Sequence, residues 1–379
     1  MNMTVADLQG ELARTHSLTP PMSLMAEFYT SEDWLAQERQ RIFRKEWICV
    51  GRESEFPTVG TYRTFDIDGT RVIVVKRRDG QLGAMVAVCL HRMAEVAQGS
   101  GCAKGFVCPY HGWTYNLEGR LIAAPRMTLD FERSGRALAQ VGIQEWNGFV
   151  YVNLDATAAP LTNRLQSLAA LLAPYHMERM RVLTRQRHKW RTNWKVLVEN
   201  FLEIYHINVT HPDTLAPFAP PEGARILPTS GAFQFYEHRM PDSYTPVPLD
   251  PRIGIPNADL DEEQKQVAYI GCIFPSHLFS VTWDSAFWLS LQPRGVHEVE
   301  IDVGLAGPFD IPCGTAADAD HPNLYWMRLI DAINAEDRTR VESVQRGAQS
   351  GFGKPSLLHA HEATITGFVS YLLDKMVNS

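Results

Sequence analysis

CLHRMAEVAQGSGCAKGFVCPYHGWTY, residues 89–115, is the stretch on which the reading of this chain turns. Cys89 and His91 form C-x-H; after sixteen residues Cys108 and His111 form C-x-x-H, with Cys102 outside both pairs. Thiolate and imidazole together are ligands for zinc or for iron–sulfur centres. Two readings follow. One is a structural Cys₂His₂ zinc site. The other is a [2Fe–2S] centre with two cysteines on one iron and two histidines on the other, where each loop must reach both irons. Zinc fingers usually group like ligands, whereas each loop here is mixed, so the second reading fits better. Gly105, Pro109 and Gly112 allow tight turns that aim backbone N–H groups at sulfur, and Trp113 and Tyr115 can shield the site. Cys49, Cys102, Cys272 and Cys313 read as ordinary packing or loop residues.

The rest of the chain sets bounds on that core. It has 379 residues, 45% of them hydrophobic, with net charge −7, which is enough for two domains with full cores. An acidic balance gives no basic face for nucleic acid or an anionic membrane. No apolar stretch reaches bilayer length, and the opening MNMTVADLQGELARTH lacks a secretory pattern, so a cytoplasmic protein is expected. Ser31 to Trp47 reads as an amphipathic helix capped by Ser31. From Val50 to Leu154 the pattern is β, with hairpins at Asp68-Gly69 and Asp79-Gly80 and one further strand over 145–154. Beyond it, helices are expected over Asn193 to Asn208, Leu324 to Ala348 and Leu357 to Val377. Leu278 to Val303 reads as two strands joined at Pro293-Arg294-Gly295, and 213–268 as long loops around a pocket. The fold class is α+β.

A second constellation lies in NWKVLVENFLEIYHINVTHP, residues 193–212. Glu199, Glu203 and His206 would share one face of a continuous helix. His206 and His211, five apart, would point about 140° away from each other, so binding one metal requires the helix to bulge or end between them. β-branched Ile207, Val209 and Thr210 with Pro212 make a break plausible. Two histidines and a carboxylate form the open facial triad of non-haem iron(II) oxygenases. NAEDRTRVESVQRGAQSG, residues 334–351, offers Asp337 as the third ligand, with Glu336 turned about 100° away on a helix.

These motifs resemble those of Rieske non-haem iron ring-hydroxylating oxygenases, α subunit, over nearly the whole length. The resemblance runs from E-R-Q-R-I-F-R-K-E-W at 38–47, through the two Cys/His loops and N-W-K…E-N…E-x-Y-H-x-x-x-x-H-P, to E-D…E-S-V-Q-R-G. It implies that Cys89, His91, Cys108 and His111 bind the [2Fe–2S] cluster and that His206, His211 and Asp337 bind Fe(II). Glu203 matches the acid that links the two centres, and Asn200 the asparagine beside the iron. Met93 stands where the family often has Gly. Glu203 replaces the usual Asp, which resembles the branch acting on quaternary ammonium compounds: carnitine, stachydrine and glycine betaine oxygenases.

The resemblance further implies a small all-β Rieske domain over 48–155 and a helix-grip catalytic domain over 156–379, an antiparallel sheet with helices. Residues 1–47 would form a helical segment packed on the catalytic domain. Electrons would come from NAD(P)H through a flavin/iron–sulfur reductase, with or without a ferredoxin. The oxygenase would insert one oxygen atom or two, and would work as a head-to-tail homotrimer, with or without a β subunit. In SVTWDSAFWLS (280–290), Trp283 and Phe287 share one strand face and, with Phe201, could cage a trimethylammonium group. The alternative substrate is an aromatic carboxylic acid held by Arg225, Arg239 or Arg328. From other classes, a pure Rieske electron carrier would leave His206, His211 and Asp337 incidental, and a zinc-stabilised binding module would need no iron. His359, His361 and Glu362 match a helix opening in the family.

Overall fold

The computed structural model describes residues 3–128, 130–244, 259–307 and 322–378, without the side chains of 322–327. It divides into two compact units, Phe43–Leu161 and Met1–Ile42 with Thr162–Ser379.

The Phe43–Leu161 unit is built from antiparallel hairpins. Thr61–Ile67 and Thr70–Lys76 pair across Asp68-Gly69, and Leu82–Val86 and Ser100–Cys102 complete a four-stranded sheet. Residues 145–154 are not one strand. Gly142–Trp146 and Phe149–Asn153 form a hairpin around Asn147-Gly148, whose φ values of 47° and 77° are those of a primed turn. With Ile48–Arg52 they make a three-stranded sheet. A small third sheet, Phe106–Val107, Thr114–Tyr115 and Leu121–Ala123, holds Cys108 and His111 in its first connection. Ile73, Val75, Met85, Phe106, Trp113 and Tyr115 form a core that includes the Cys89 and Cys108 side chains.

The other unit carries a seven-stranded antiparallel sheet. Its spatial order is Arg181–Trp190, Glu298–Gly307, Ala286–Gly295, His277–Val281, Val267–Ile273, Phe233–Arg239, Ala224–Ile226. The α+β architecture is therefore as expected, while three local expectations are corrected. Leu278 to Val303 spans three strands, because Thr282–Ser285 turns the chain and Pro293 sits inside a strand. The missing Pro293 N–H is tolerated at a register slip between Pro293 and Gly295. The segment read as loops contributes two strands, Ala224–Ile226 and Phe233–Arg239. The C-terminal helix starts late, as a short turn at Ala360–Glu362 followed by Thr364–Leu373. Helices Trp194–Leu202, Pro322–Gln349 and Thr364–Leu373 belong to this unit. Cys313 lies outside the described residues.

Ser31 does cap the helix Glu32–Glu38, accepting the Trp34 N–H at 3.2 Å. That helix delivers Glu38 into the interior, where its carboxylate meets Lys195 Nζ at 2.6 Å and accepts Trp194 Nε1–H at 2.8 Å. Both Glu38 and Lys195 side chains have 0% exposure. The pair fixes the N-terminal helix to the start of the helix that leads to the candidate site. Removing one partner strands a buried charge, so Lys195→Met is expected to lower the unfolding free energy by about 3 kcal/mol in a denaturant titration. Adding Glu38→Leu should recover part of that loss.

Candidate functional site

Two clusters of ligand-type side chains form, one in each unit. In the first, the loops 89–93 and 108–112 are the same turn made twice. Met93 N–H donates to Cys89 O at 3.0 Å, and Gly112 N–H to Cys108 O at 3.0 Å. Both fifth positions are left-handed, Gly112 at φ +75° and Met93 at φ +59°. Gly adopts that conformation freely, whereas a side chain is strained there. The family's usual Gly at the Met93 position thus has a physical reason, and Met93, 79% exposed, holds the backbone shape without it.

Each turn buries its cysteine and presents its histidine outward. The His91 and His111 Nδ1 atoms face each other at 3.1 Å. Two nitrogens on one tetrahedral metal with bonds of about 2.0–2.1 Å lie roughly 3.3 Å apart, so both imidazoles suit a single iron. Cys89 Sγ sits 3.3 Å from the Tyr115 hydroxyl. Burial resists a Cys89 thiolate, but the Tyr115 hydroxyl, the His91 N–H and Cys108 outweigh it and hold the thiol below its ordinary range. Trp113 stacks on His91 at 5.0 Å. Cys102 lies exposed on its strand, outside this set. The donors and their arrangement fit a [2Fe–2S] cluster.

In the second cluster the chain breaks where ligands must converge. Helix Trp194–Leu202 stops, and Glu203 is extended at φ −101°, ψ 157°. The Glu203 carboxylate accepts the backbone N–H groups of Tyr205 and His206, which starts a new short helix, Ile207–Thr210. His206 stands just before that helix and His211 just after it, so the two rings meet at 5.2 Å. A continuous helix over Asn193 to Asn208 is thereby corrected, and Glu199 does not share a face with His206. Its carboxylate accepts the Tyr29 hydroxyl at 2.9 and 2.8 Å instead.

Asp337, on Pro322–Gln349, completes the cluster: one ligand atom from each of His206, His211 and Asp337 lies within 4.8 Å of the others. His206 Nε2 is 3.5 Å and His211 Nε2 3.0 Å from Asp337 Oδ1. Asn200 Nδ2 donates to the same oxygen at 3.2 Å. Behind the histidines stand two more carboxylates. Glu203 takes the His206 Nδ1–H, and Glu336 the His211 Nδ1–H at 2.7 Å, with Thr214 Oγ1 donating to Glu336 at 2.7 Å. A carboxylate on Nδ1 fixes the tautomer and leaves Nε2 free for a metal.

Burial opposes histidinium here, but Asp337 and Glu203 outweigh it and push His206 up to about 9. Burial likewise opposes the Asp337 carboxylate, yet the two histidines hold it at about 2. The pocket thus favours positive charge at this point, which a divalent cation supplies. Sequence reading missed Glu336 as a working residue. Its adjacency to Asp337 was the signal, but ideal helix geometry turned it away. His211 lies over a different part of the helix surface and reaches it.

The cluster opens into a cavity of about 820 Å³. One cross-strand row of the sheet, Tyr236, Ile270, Ser280, Phe287 and Leu305, lines it. Phe201 and Phe287 lie on its wall as expected. Trp283 does not line it. It sits in the Thr282–Ser285 turn, where strand alternation lapses, and bonds to Tyr244, which is a lining residue. Among the described residues no Lys or Arg lines the cavity. Arg225 pairs with Glu237 at 2.6 Å and Arg239 with Glu263 at 3.6 Å, and Arg328 is exposed.

Comparison with known proteins matches the two units to two family models: a Rieske [2Fe-2S] domain over residues 46–137 and a ring hydroxylating alpha subunit (catalytic domain) over 177–378. A glycine betaine monooxygenase oxygenase subunit of Chromohalobacter salexigens is 35% identical, covering 98% of this chain and 88% of that protein. A carnitine monooxygenase oxygenase subunit of Escherichia coli is 34% identical over 50% of this chain and 52% of that protein. The fold is similar to crystal structures of the quaternary ammonium Rieske monooxygenase CntA, with TM-score 0.81 and 23% identity, covering 97% and 98% of the two chains. It is also similar to naphthalene 1,2-dioxygenase from Rhodococcus, with TM-score 0.78 and 19% identity, covering 100% of each chain.

Two measurements check this geometry. Glu336→Gln leaves the three ligands in place but removes the charge behind His211, so iron affinity is expected to fall roughly 10–100-fold in a chelator competition. Met93→Gly is expected to stabilise the cluster-bearing unit by about 1 kcal/mol while leaving the reduced-cluster EPR signal unchanged, read as a raised midpoint for thermal loss of visible absorbance.

Proposed function

The chain belongs to the family of Rieske ring-hydroxylating oxygenase α subunits, O₂-dependent oxidoreductases, and from that membership we propose that it hydroxylates a small quaternary ammonium compound, with oxidative demethylation as one outcome. The carrying observation is the character of the cavity. Phe201, Phe218, Tyr236 and Phe287 give it aromatic walls, and no Lys or Arg among the described residues lines it. Such a lining suits a soft cation through ring faces and offers no ion pair to an aromatic carboxylate. The three arginines that could have held an acid lie elsewhere. The names of the relatives point the same way, as does Glu203 in place of Asp.

In this reading Cys89, His91, Cys108 and His111 hold the cluster and His206, His211 and Asp337 hold the iron. The cluster supplies single electrons and the ferrous ion supplies O₂ activation. The protein's own groups do the positioning. Glu203 keeps a proton on His206 Nδ1 and Glu336 keeps one on His211 Nδ1, so both Nε2 lone pairs face the metal. Asn200 holds the Asp337 carboxylate from one side. The Tyr115 hydroxyl donates toward Cys89 sulfur, a contact that raises a cluster's potential. Electrons would derive from NAD(P)H through a flavin/iron–sulfur reductase, directly or by a ferredoxin.

A homotrimer fits the surface chemistry of each unit. Leu90, Met93, Val107 and Tyr110 are exposed around the outward-facing His91 and His111. Tyr205 and Val209 are exposed beside Glu203. Apolar side chains set around functional groups suit cover by another copy. Glu203 would then accept a proton-bearing nitrogen from the partner subunit's His111. A quaternary ammonium Rieske monooxygenase of similar fold passes electrons between its subunits.

The test is oxygen uptake with a matched reductase. Betaines and other trimethylammonium compounds are expected to stimulate it, and benzoate-type acids to leave it at background; the reverse pattern removes the substrate reading. Asp337→Ala should keep the two cluster irons, lose the third, and drop product formation to background.

A further inference from the structure

Most buried tyrosine hydroxyls in this protein have a clear partner. Tyr29 donates to Glu199, Tyr175 to the Gln264 carbonyl, and Tyr115 contacts Cys89 and Leu90. Tyr236 is different. Its side chain is only 6% exposed, yet among the described residues none hydrogen-bonds its hydroxyl. That hydroxyl opens on the cavity rather than into closed protein, so it is available to a ligand held there.

The position of Tyr236 identifies that ligand. It opens the row Tyr236, Ile270, Ser280, Phe287, Leu305 that lines the cavity. Its ring packs on Ile204 and Ile207, the two residues flanking the chain break at His206. Its hydroxyl lies in the field of the Glu203 and Asp337 carboxylates, and its side chain shares the cavity wall with His206, His211 and Asp337. Burial first, and then those two carboxylates, push the phenol well above its ordinary range. A phenol is an O–H at ordinary working pH and can donate to an oxygen that gains negative charge.

We propose that the Tyr236 hydroxyl is a catalytic hydrogen-bond donor to the dioxygen co-substrate on the open side of His206, His211 and Asp337. This rests on the reading that those three residues hold ferrous iron. A neutral O–H stabilises charge building on oxygen without adding a cation that would repel an ammonium substrate.

The test uses the full-length, iron-loaded protein and Tyr236→Phe, with nitric oxide as the dioxygen surrogate. Nitric oxide affinity is titrated by the EPR signal of its ferrous adduct, together with melting temperature and iron content. The expected result is an unchanged melting temperature and iron content with roughly tenfold weaker nitric oxide binding. Equal affinity in both proteins overturns the proposal. So does a lowered melting temperature, which would make the hydroxyl structural. If the unaltered protein itself carries no third iron and gives no such signal, it is the iron reading that fails, and this inference with it.

Discussion

Two imidazoles five residues apart cannot meet on an unbroken helix, and the geometry of the His206, His211 and Asp337 cluster depends on how this chain resolves that constraint. It resolves it with one side chain. Glu203 ends the helix Trp194–Leu202 in an extended conformation, then folds its carboxylate forward onto the N–H groups of Tyr205 and His206. Those bonds satisfy the N–H groups of the two residues that lead into the new helix. The same carboxylate takes the His206 Nδ1–H. Backbone break, histidine orientation and tautomer thus share one cause. Shortening the acid to Asp would move the carboxylate by about one methylene, so its use here affects backbone and ligand together.

Around that break the protein surrounds the site with rigid supports. Asn193 caps the helix that leads in, and its amide also bonds the carbonyls of Tyr29 and Val296 at 3.3 and 3.0 Å. Gln345, two turns beyond Asp337, bonds the Asn193 N–H at 2.8 Å. The helix that supplies Asp337 is therefore pinned to the start of the helix that supplies Asn200. Buried polar groups satisfied in this way specify one arrangement, and a metal site tolerates little else.

The cluster loops were legible because their chemistry is local. C-x-H and C-x-x-H with turn formers fix ligands, turns and exposure within a few residues, and the β pattern around them followed from Asp-Gly turns. Asn147-Gly148 carries an equally local hairpin signal and was absorbed into a strand, because the apolar run on its far side dominated the window. The three ligand-type residues were legible as a set, and so was the need for a helix break near His206 and His211, but its place at Glu203, ahead of both, was not. It depends on a side chain capping the next segment, which periodicity does not register. Glu336 and Tyr236 were less legible still. Each becomes meaningful only through a distant partner, His211 for the first and the His206 break for the second. The substrate wall suffered in the same way: Phe287 keeps its strand alternation, but a turn at Thr282–Ser285 takes Trp283 out of phase.

These observations separate two tasks within one cavity. The polar groups cluster at the metal end, where five side chains, His206, His211, Asp337, Glu203 and Glu336, account for one another's protons. The described remainder is largely ring faces and aliphatic groups, with neutral hydroxyls, the Asn334 amide, the His238 imidazole that burial keeps neutral and the Asp284 carboxylate, but no Lys or Arg. A site of this kind discriminates against substrates chiefly by what it cannot offer. With no Lys or Arg on that wall, an anion held there would lose its hydration with no charge beside it in return, a cost larger than ring contacts recover. A cation carrying methyl groups gives up little hydration and meets ring faces on entry. On the proposed reading, selectivity for ammonium compounds would need no dedicated counter-ion at the wall, and the acidic groups of the cavity would be left to act at the three-residue cluster.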